Sequence, residues 1–175
     1  AERTGVFLEK MADFFRYNVR KMEDDALLWE EVDAVDNYIY ILNVRFAGDI
    51  NYEKDVDEGI GNFRIPSMIL QPLVENSIKH GLSKESKGGR IFIRTWMRGE
   101  RLWISVSDTG VGMEEERLQQ IRAALNDGTE NEIGIGVGNI YRRVHGLYED
   151  GEMFIYSKKG CGTAVQLAFT PKDIV

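Results

Sequence analysis

The sequence predicts an α+β fold: a two-layer α/β sandwich in which helices cover one face of a mixed, mostly antiparallel sheet, preceded by an amphipathic helix. Three observations lead there. Helical and strand periodicities interleave along the 175 residues. Two pairs of strand-like runs lie close enough in sequence to pair as hairpins. Those strands alternate apolar with polar positions, as strands with one covered face do. A hydrophobic content of 43% supplies a core for one domain with an appendage.

Between Glu2 and about Met22, Leu8, Met11, Phe15, Val19 and Met22 recur at helical spacing, flanked by Phe7 and Phe14, with charge on the other face. A second helix, about Glu30 to Ala47, carries Val32, Val35, Ile39, Leu42 and Phe46 in a heptad-like seam that stops at Gly48. Ile50 to Val56 reads as a short strand and Asp57 to Asn62 as a loop. Pro66 suits a first helical turn and Gly81 a left-handed cap, which predicts a helix over Pro66 to His80 with Met68, Leu70, Leu73, Val74, Ser77 and Ile78 as its stripe. Arg90 to Trp96 and Leu102 to Asp108 form a hairpin through Arg98, Gly99 and Glu100. A helix follows over about Glu114 to Asn126, marked by Leu118, Ile121 and Leu125. Another helix follows Asn139, and strands at about Met153 to Ser157 and Thr163 to Phe169 close the chain.

A formal charge of -7 without a basic stripe argues against a nucleic-acid surface. The single cysteine, Cys161, excludes an internal disulfide and a cysteine-based zinc site, which points to a reducing compartment. No run approaches the roughly 18 to 20 apolar residues of a membrane span, and no secretory signal is visible, so the chain reads as soluble. It also begins inside an amphipathic pattern, which suggests a fragment of something longer.

Leu-Gln-Pro-Leu-Val-Glu-Asn-Ser-Ile-Lys-His-Gly, from Leu70 to Gly81, carries the most chemistry. Asn76, Lys79 and His80 are spaced to share a helix face, so an amide, a cation and an imidazole point the same way. A phosphorylated ligand with its metal would supply the partners such groups need. On the strand ending at Asp108, the parity of Leu102, Ile104 and Val106 turns the carboxylate toward the core, and Thr163 opens a strand of the same pattern. Beside them stand Gly110 and Gly112, and Gly160 and Gly162, which lack the side chains that would keep a flat ring off the backbone. Adenine, whose exocyclic amine a carboxylate can accept from, fits that rim. The competing reading of Asp108 is an Asx turn at the strand end. Gly134, Gly136 and Gly138, leading to Asn139, form a candidate phosphate loop at a helix start, or simply a flexible glycine-rich loop. Neither a Rossmann fingerprint nor a Walker loop is present.

Taken in order, Glu75-Asn76 with Lys79-His80-Gly81, Asp108-Thr109-Gly110-Val111-Gly112, Gly134 through Asn139, and Gly160-Cys161-Gly162-Thr163 resemble the asparagine box, two glycine boxes and final Gly-Thr box of the histidine kinase ATPase domain. That domain has the Bergerat (GHKL) fold shared with gyrase B, HSP90 and MutL. The Leu70–Gly81 segment looks like the YesM/LytS type of sensor histidine kinase, and Phe15-Arg16-Tyr17 with Tyr38, Arg45 and Phe46 fits the linker of that type. The resemblance implies residues 1–24 as the end of a helical dimerisation and phosphoacceptor segment, and residues 25–175 as the ATP-binding catalytic domain. It implies ATP and Mg²⁺ as cofactors, with Asn76 as metal ligand and Asp108 on the adenine amine, supported by Thr163. Gly136, Gly138 and Asn139 would hold phosphates, and Lys79 would add charge. Glu75, Asn76, Lys79 and His80 together form the implied catalytic set. Gly110, Gly112 and Gly134 complete the implied nucleotide-binding set, and Met113 to Ile133 would be a lid. Also implied are a response-regulator receiver domain as partner, a homodimer through the helical segment, and a cytoplasmic placement under a membrane-anchored parent. The stripe from Leu8 to Met22 would equally suit packing within one chain.

Two departures shape the expectation. The acceptor histidine of this family precedes the first helix here, and neither His80 nor His145 matches it, so the chain should bind ATP without phosphorylating itself. The phenylalanine-rich box of many lids is also missing. The alternative from another class is an ATPase clamp of the gyrase, HSP90 or MutL kind, or a serine kinase of the anti-sigma-factor type. The clamps carry a water-activating glutamate one turn before the metal-binding asparagine; here that position is Pro72, and Glu75 is rotated about 100° away.

Overall fold

A computed structural model describes residues 2–20, 25–45, 50–81, 89–127 and 135–172. Helix α1 (Glu2–Arg20) leads to a three-residue strand β1 (Asp25–Leu27), helix α2 (Leu28–Arg45) and strand β2 (Asn51–Val56). A second short strand, β3 (Arg64–Pro66), precedes helix α3 (Leu70–Asn76). Then come β4 (Arg90–Arg98), β5 (Arg101–Asp108), α4 (Glu115–Asp127), α5 (Ile135–Leu147), β6 (Glu152–Lys158) and β7 (Gly162–Phe169).

The main sheet has the order β2-β4-β5-β7-β6. β2 runs parallel to β4 and every other neighbour is antiparallel, so the sheet is mixed as expected. Alternation decides its two faces. Ile91, Ile93, Leu102, Ile104, Val106, Leu167 and Phe169 point inward and join Leu28, Val32, Val35, Ile39, Leu70, Leu73, Val74, Ile140 and Val144 from α2, α3 and α5 in one core. A smaller cluster packs Leu118, Ile121, Ala124 and Leu125 of α4 against Ile155 of β6. The opposite sheet face bears Trp96, Trp103 and Phe154, stacked at 5.8 and 5.7 Å and only half-buried. Helices thus cover one face and leave aromatics on the other.

Three features differ from the sequence expectation. Pro66 does not open a helix. It ends β3, whose residues pair with β1 in the register Asp25 to Pro66, Ala26 to Ile65 and Leu27 to Arg64, and three-residue strands leave too short a pattern to read. Met68 then takes a left-handed φ of 58°, which no α-helix tolerates, so α3 starts at Leu70. From Ser77 to Gly81 the helix continues as one wider π turn. Lastly, α5 starts at Ile135 rather than after Asn139, which puts Gly136, Gly138 and Asn139 inside its first turns.

α1 meets the domain through residues outside its expected stripe. Phe14 stacks on Tyr38 of α2 at 5.7 Å, and the Tyr17 hydroxyl donates to Glu31. Leu8, Phe15 and Val19 remain 60%, 57% and 76% exposed, so the described residues leave this part of the apolar stripe uncovered. Met22 and Phe46, the last members of the two expected seams, lie outside the described residues. Among the described residues no helix is long and apolar enough to cross a membrane.

Candidate functional site

Where α3 crosses the ends of β5 and β7 the structure holds a cavity of about 680 Å³. Leu73, Asn76, Ser77, Lys79 and His80 line it from α3 and the π turn; Val106, Asp108, Ile155, Thr163 and Val165 from the sheet; Met113, Arg117 and Ile121 from α4 and its approach; and Gly136 and Val137 from α5. The sheet wall is therefore mostly apolar, and a few polar groups converge on the cavity, which is the make-up of a small-molecule site.

Asp108 is the buried carboxylate of this wall, 7% exposed. Its Oδ1 accepts the Gly110 N–H at 2.8 Å and the Thr163 N–H at 3.3 Å. The bond from Gly110 is the i to i+2 contact of an Asx turn, so the turn and an inward-facing carboxylate coexist at this residue. Burial pushes its carboxyl above the ordinary carboxylate range, while the Gly110 N–H, the Ser77 hydroxyl and the Thr163 N–H pull it back. Ser77, one residue past Asn76, thereby joins the turn after α3 to the end of β5. Thr163 also shares a 2.9 Å hydroxyl contact with Ser157, whose Oγ accepts the Met113 N–H at 2.9 Å.

The glycines beside Asp108 serve the backbone first. Gly112 has φ +64° and a Cβ there would lie 2.0 Å from the Lys158 carbonyl oxygen; Gly162 has φ +94° and its Cβ would lie 1.9 Å from that of Asp108. They let the end of β5 and the β6–β7 hairpin touch, a backbone contact that the sequence, which suggests room for a ring, does not reveal. Gly136 is different. Its Cβ would stand 3.2 Å from Asn76 Nδ2, so the bare backbone of α5 packs on the carboxamide.

Asn76 Nδ2 is buried and has no hydrogen-bond partner among the described residues. An orphaned amide on a cavity wall is costly, by about 1 to 3 kcal/mol for a buried polar group, and a bound polar ligand removes that cost. Among the described residues no group of three or more His, Cys, Asp or Glu side chains is arranged to hold a metal ion. A cation held here would take a single protein oxygen, that of Asn76, and the rest of its ligands from phosphates and water, as Mg²⁺ commonly does. The carboxamide oxygen is compatible with such an ion, while the orphaned Nδ2 is a donor and would face a phosphate or water oxygen.

Of the residues expected from sequence, the cavity brings together Asn76, Lys79, His80, Asp108, Gly112, Gly136 and Thr163. Glu75 is not in its lining; it accepts Gln71 Nε2 at 2.8 Å, because the next residue along a helix faces elsewhere. Gly110, Gly138 and Asn139 are not in the lining either, and Asn139 accepts from Arg142 within α5. Gly134 and the end of the expected lid lie outside the described residues. Not expected from the sequence are Ser77, which there belongs to an apolar stripe, and Arg117, an exposed cation that α4 sets at the cavity's edge, where it donates to Gln120.

Residues 62–173 match the family described as histidine kinase-, DNA gyrase B- and HSP90-like ATPase, and residues 1–50 match the histidine kinase family. An uncharacterized sensor-like histidine kinase of Staphylococcus epidermidis is 31% identical over 156 residues, covering 87% of this chain and 30% of that protein. The sensor protein kinase HptS of Staphylococcus aureus is 31% identical over 159 residues, covering 90% and 30%. This chain therefore spans about 30% of the length of the curated relatives it matches. Among solved structures, the catalytic domain of histidine kinase ThkA superposes with a TM-score of 0.59 at 16% identity, covering 85% of this chain and 97% of that one. The histidine kinase domain of a blue-light activated histidine kinase from Erythrobacter litoralis gives 0.57 at 20% identity, covering 80% and 60%. At those identities the two superpositions speak for the fold alone.

Proposed function

Because the chain belongs to the histidine kinase-, DNA gyrase B- and HSP90-like ATPase family, we propose that it is the ATP-binding catalytic domain of a two-component sensor histidine kinase. On this reading residues 25–175 are the catalytic domain and residues 1–24 the end of the helical dimerisation and phosphoacceptor segment. The reaction is transfer of the ATP γ-phosphoryl to a ring nitrogen of a histidine outside this chain: the bond from the γ-phosphorus to its bridging oxygen breaks, a phosphorus–nitrogen bond forms, and ADP leaves. A response-regulator receiver domain then takes the phosphoryl group. The observation that carries the reading is one cavity lined both by Asn76, whose buried Nδ2 has no partner among the described residues, and by buried Asp108.

Each residue has a task that its geometry permits. Asp108 accepts the adenine amine, with Thr163 and Ser77 holding the carboxylate. Asn76 would hold Mg²⁺, which would offset phosphate charge. Lys79, His80 and Arg117 add cationic or donor groups beside the phosphates. Leu73, Val106, Ile121, Ile155 and Val165 exclude water from the base. The protein supplies positioning and charge stabilisation rather than covalent chemistry.

Slow hydrolysis belongs to the same account. A positioned general base is worth ~10²- to 10⁴-fold, and the clamp ATPases need one a turn before the asparagine. Pro72 stands there, and Glu75 is engaged by Gln71 away from the cavity. The uncovered Leu8, Phe15 and Val19 stripe supports a homodimer through the helical segment. The same reading puts the catalytic domain on the cytoplasmic side of a membrane-anchored parent. To test the function, this chain and a longer polypeptide carrying the upstream helix are incubated with labelled ATP and Mg²⁺. Acid-labile phosphohistidine on the longer polypeptide alone is the expected result. Steady phosphate release from the 175-residue chain would instead make it a clamp-type ATPase.

A further inference from the structure

Three helices meet at the junction from Ser67 to Leu70, just ahead of α3. From α2, the side chain of Glu31, 1% exposed, reaches the junction: Oε1 accepts the Met68 N–H at 2.6 Å, and Oε2 accepts the Ile69 and Leu70 N–H groups at 2.9 Å each. From α1, the Tyr17 hydroxyl donates to that same Oε1. From α5, Arg143 Nη1 donates to the Ser67 carbonyl at 2.6 Å and to its hydroxyl at 3.2 Å. A buried carboxylate is tolerable only when its lone pairs are used, and here four neutral donors use them.

The junction needs that hold. Met68 is the one non-glycine residue with positive φ among the described residues, and a left-handed side-chain-bearing residue persists only where its surroundings impose it. Successive N–H groups from Met68, Ile69 and Leu70 converging on one carboxylate impose it. Asn76 lies at the far end of α3, about two turns on, and its amide packs on Gly136 of α5. Both helices that enclose the carboxamide are thus anchored at this point.

We propose that Glu31 is a positioning residue for the nucleotide pocket, setting Asn76 through the start of α3, and that Tyr17 makes this hold depend on where α1 lies. The inference rests on the reading of the cavity as a nucleotide site. A displacement of α1 that withdraws the Tyr17 hydroxyl leaves Glu31 Oε1 a donor short in a buried place. The carboxylate then shifts to regain one, Met68 relaxes, and Asn76 moves against Gly136.

The test compares the full chain with Tyr17→Phe, which keeps the ring and removes only the hydroxyl, and with Glu31→Gln, which sets an amide NH₂ against N–H donors and need not fold. Titration calorimetry with ADP, in Mg²⁺ and again in EDTA, is paired with amide hydrogen exchange of residues 68–77, all well below the unfolding temperature. Expected for Tyr17→Phe is a three- to tenfold weaker Mg²⁺–ADP affinity, less than twofold change in EDTA, and faster exchange over Met68–Asn76. Unchanged Mg²⁺–ADP affinity overturns the inference, and so does equal weakening with and without Mg²⁺, since a merely structural tyrosine would lower the unfolding temperature without touching the metal-dependent part. If the unaltered chain binds no nucleotide at all, the functional reading fails separately. Exchange over Met68–Asn76 then decides: wild-type rates in Tyr17→Phe end the positioning role too.

Discussion

Asp108→Asn separates a nucleotide role from a structural one, because the two make opposite demands on the carboxylate. The substitution is isosteric and leaves one acceptor oxygen for the Gly110 and Thr163 N–H groups that now address Oδ1. It also removes a charge that burial already disfavours, as the raised pKa of the acid records. The fold should therefore lose little, under about 1 kcal/mol, which is the net worth of an ordinary hydrogen bond. Adenine loses more. A bond from its amine to a buried charged acceptor is worth about 1.5 to 3 kcal/mol, or roughly 10- to 150-fold in Kd. Calorimetry with ADP, and with the diphosphate of hypoxanthine, which lacks the amine, measures this directly. ADP affinity should fall by that factor, the preference for ADP should disappear, and the unfolding temperature should hold. Unchanged ADP affinity, or a fall in stability with base preference intact, would refute the assignment.

Acidification should act on the same residue with two signs. A carboxyl with a raised folded-state pKa gives stability that is full below the unfolded pKa and is lost as pH rises through the folded value, so apo stability from Asp108 increases on mild acidification. Protonation spoils the acceptor, so ADP affinity should fall over the same window, above the ordinary carboxylate range; Asp108→Asn should flatten both trends in paired melting and binding series. Asn76→Ala should abolish Mg²⁺-dependent nucleotide binding, by ~100-fold or more, yet cost under about 1 kcal/mol of stability because its Nδ2 has no partner to lose. Gly162→Ala should cost at least about 3 kcal/mol, or roughly 6 to 12 °C in Tm, since its Cβ would lie 1.9 Å from the Asp108 carbonyl oxygen; a melt within 2 °C of the unaltered chain would contradict the close approach. Phe15→Arg, on the uncovered face of α1, should turn a dimer into a monomer in light-scattering chromatography without changing ADP affinity.

Much of this architecture is legible in the sequence because it rests on period and order. The parity of Leu102, Ile104, Val106 and Asp108 places the acid inward, and all four are buried. The seam Val32, Val35 and Ile39 finds the core. What escapes has its cause at a distance. Glu31 reads as one more acid in the first turn of a helix, yet its acceptors serve N–H groups 37 to 39 residues away. β1 and β3 are each three residues long and stabilise one another, so neither shows a pattern alone. Pro66 is permitted at a helix start and at a strand end, and only the pairing with Asp25 chooses. The glycines at 112 and 162 are explained by the neighbouring backbone, which composition cannot reveal.

The central claim is that one nucleotide sits in the cavity between α3, α5 and the ends of β5 and β7. An amide-detected titration of the 175-residue chain with Mg²⁺–ADP tests it most directly. The account predicts saturable shifts at Asn76, Ser77, Lys79, Asp108, Met113, Gly136 and Thr163, with the Asn76 side-chain amide responding only when Mg²⁺ is present. Shifts that fail to saturate, or that gather instead in the groove formed by Arg122, Tyr141 and His145, would contradict it.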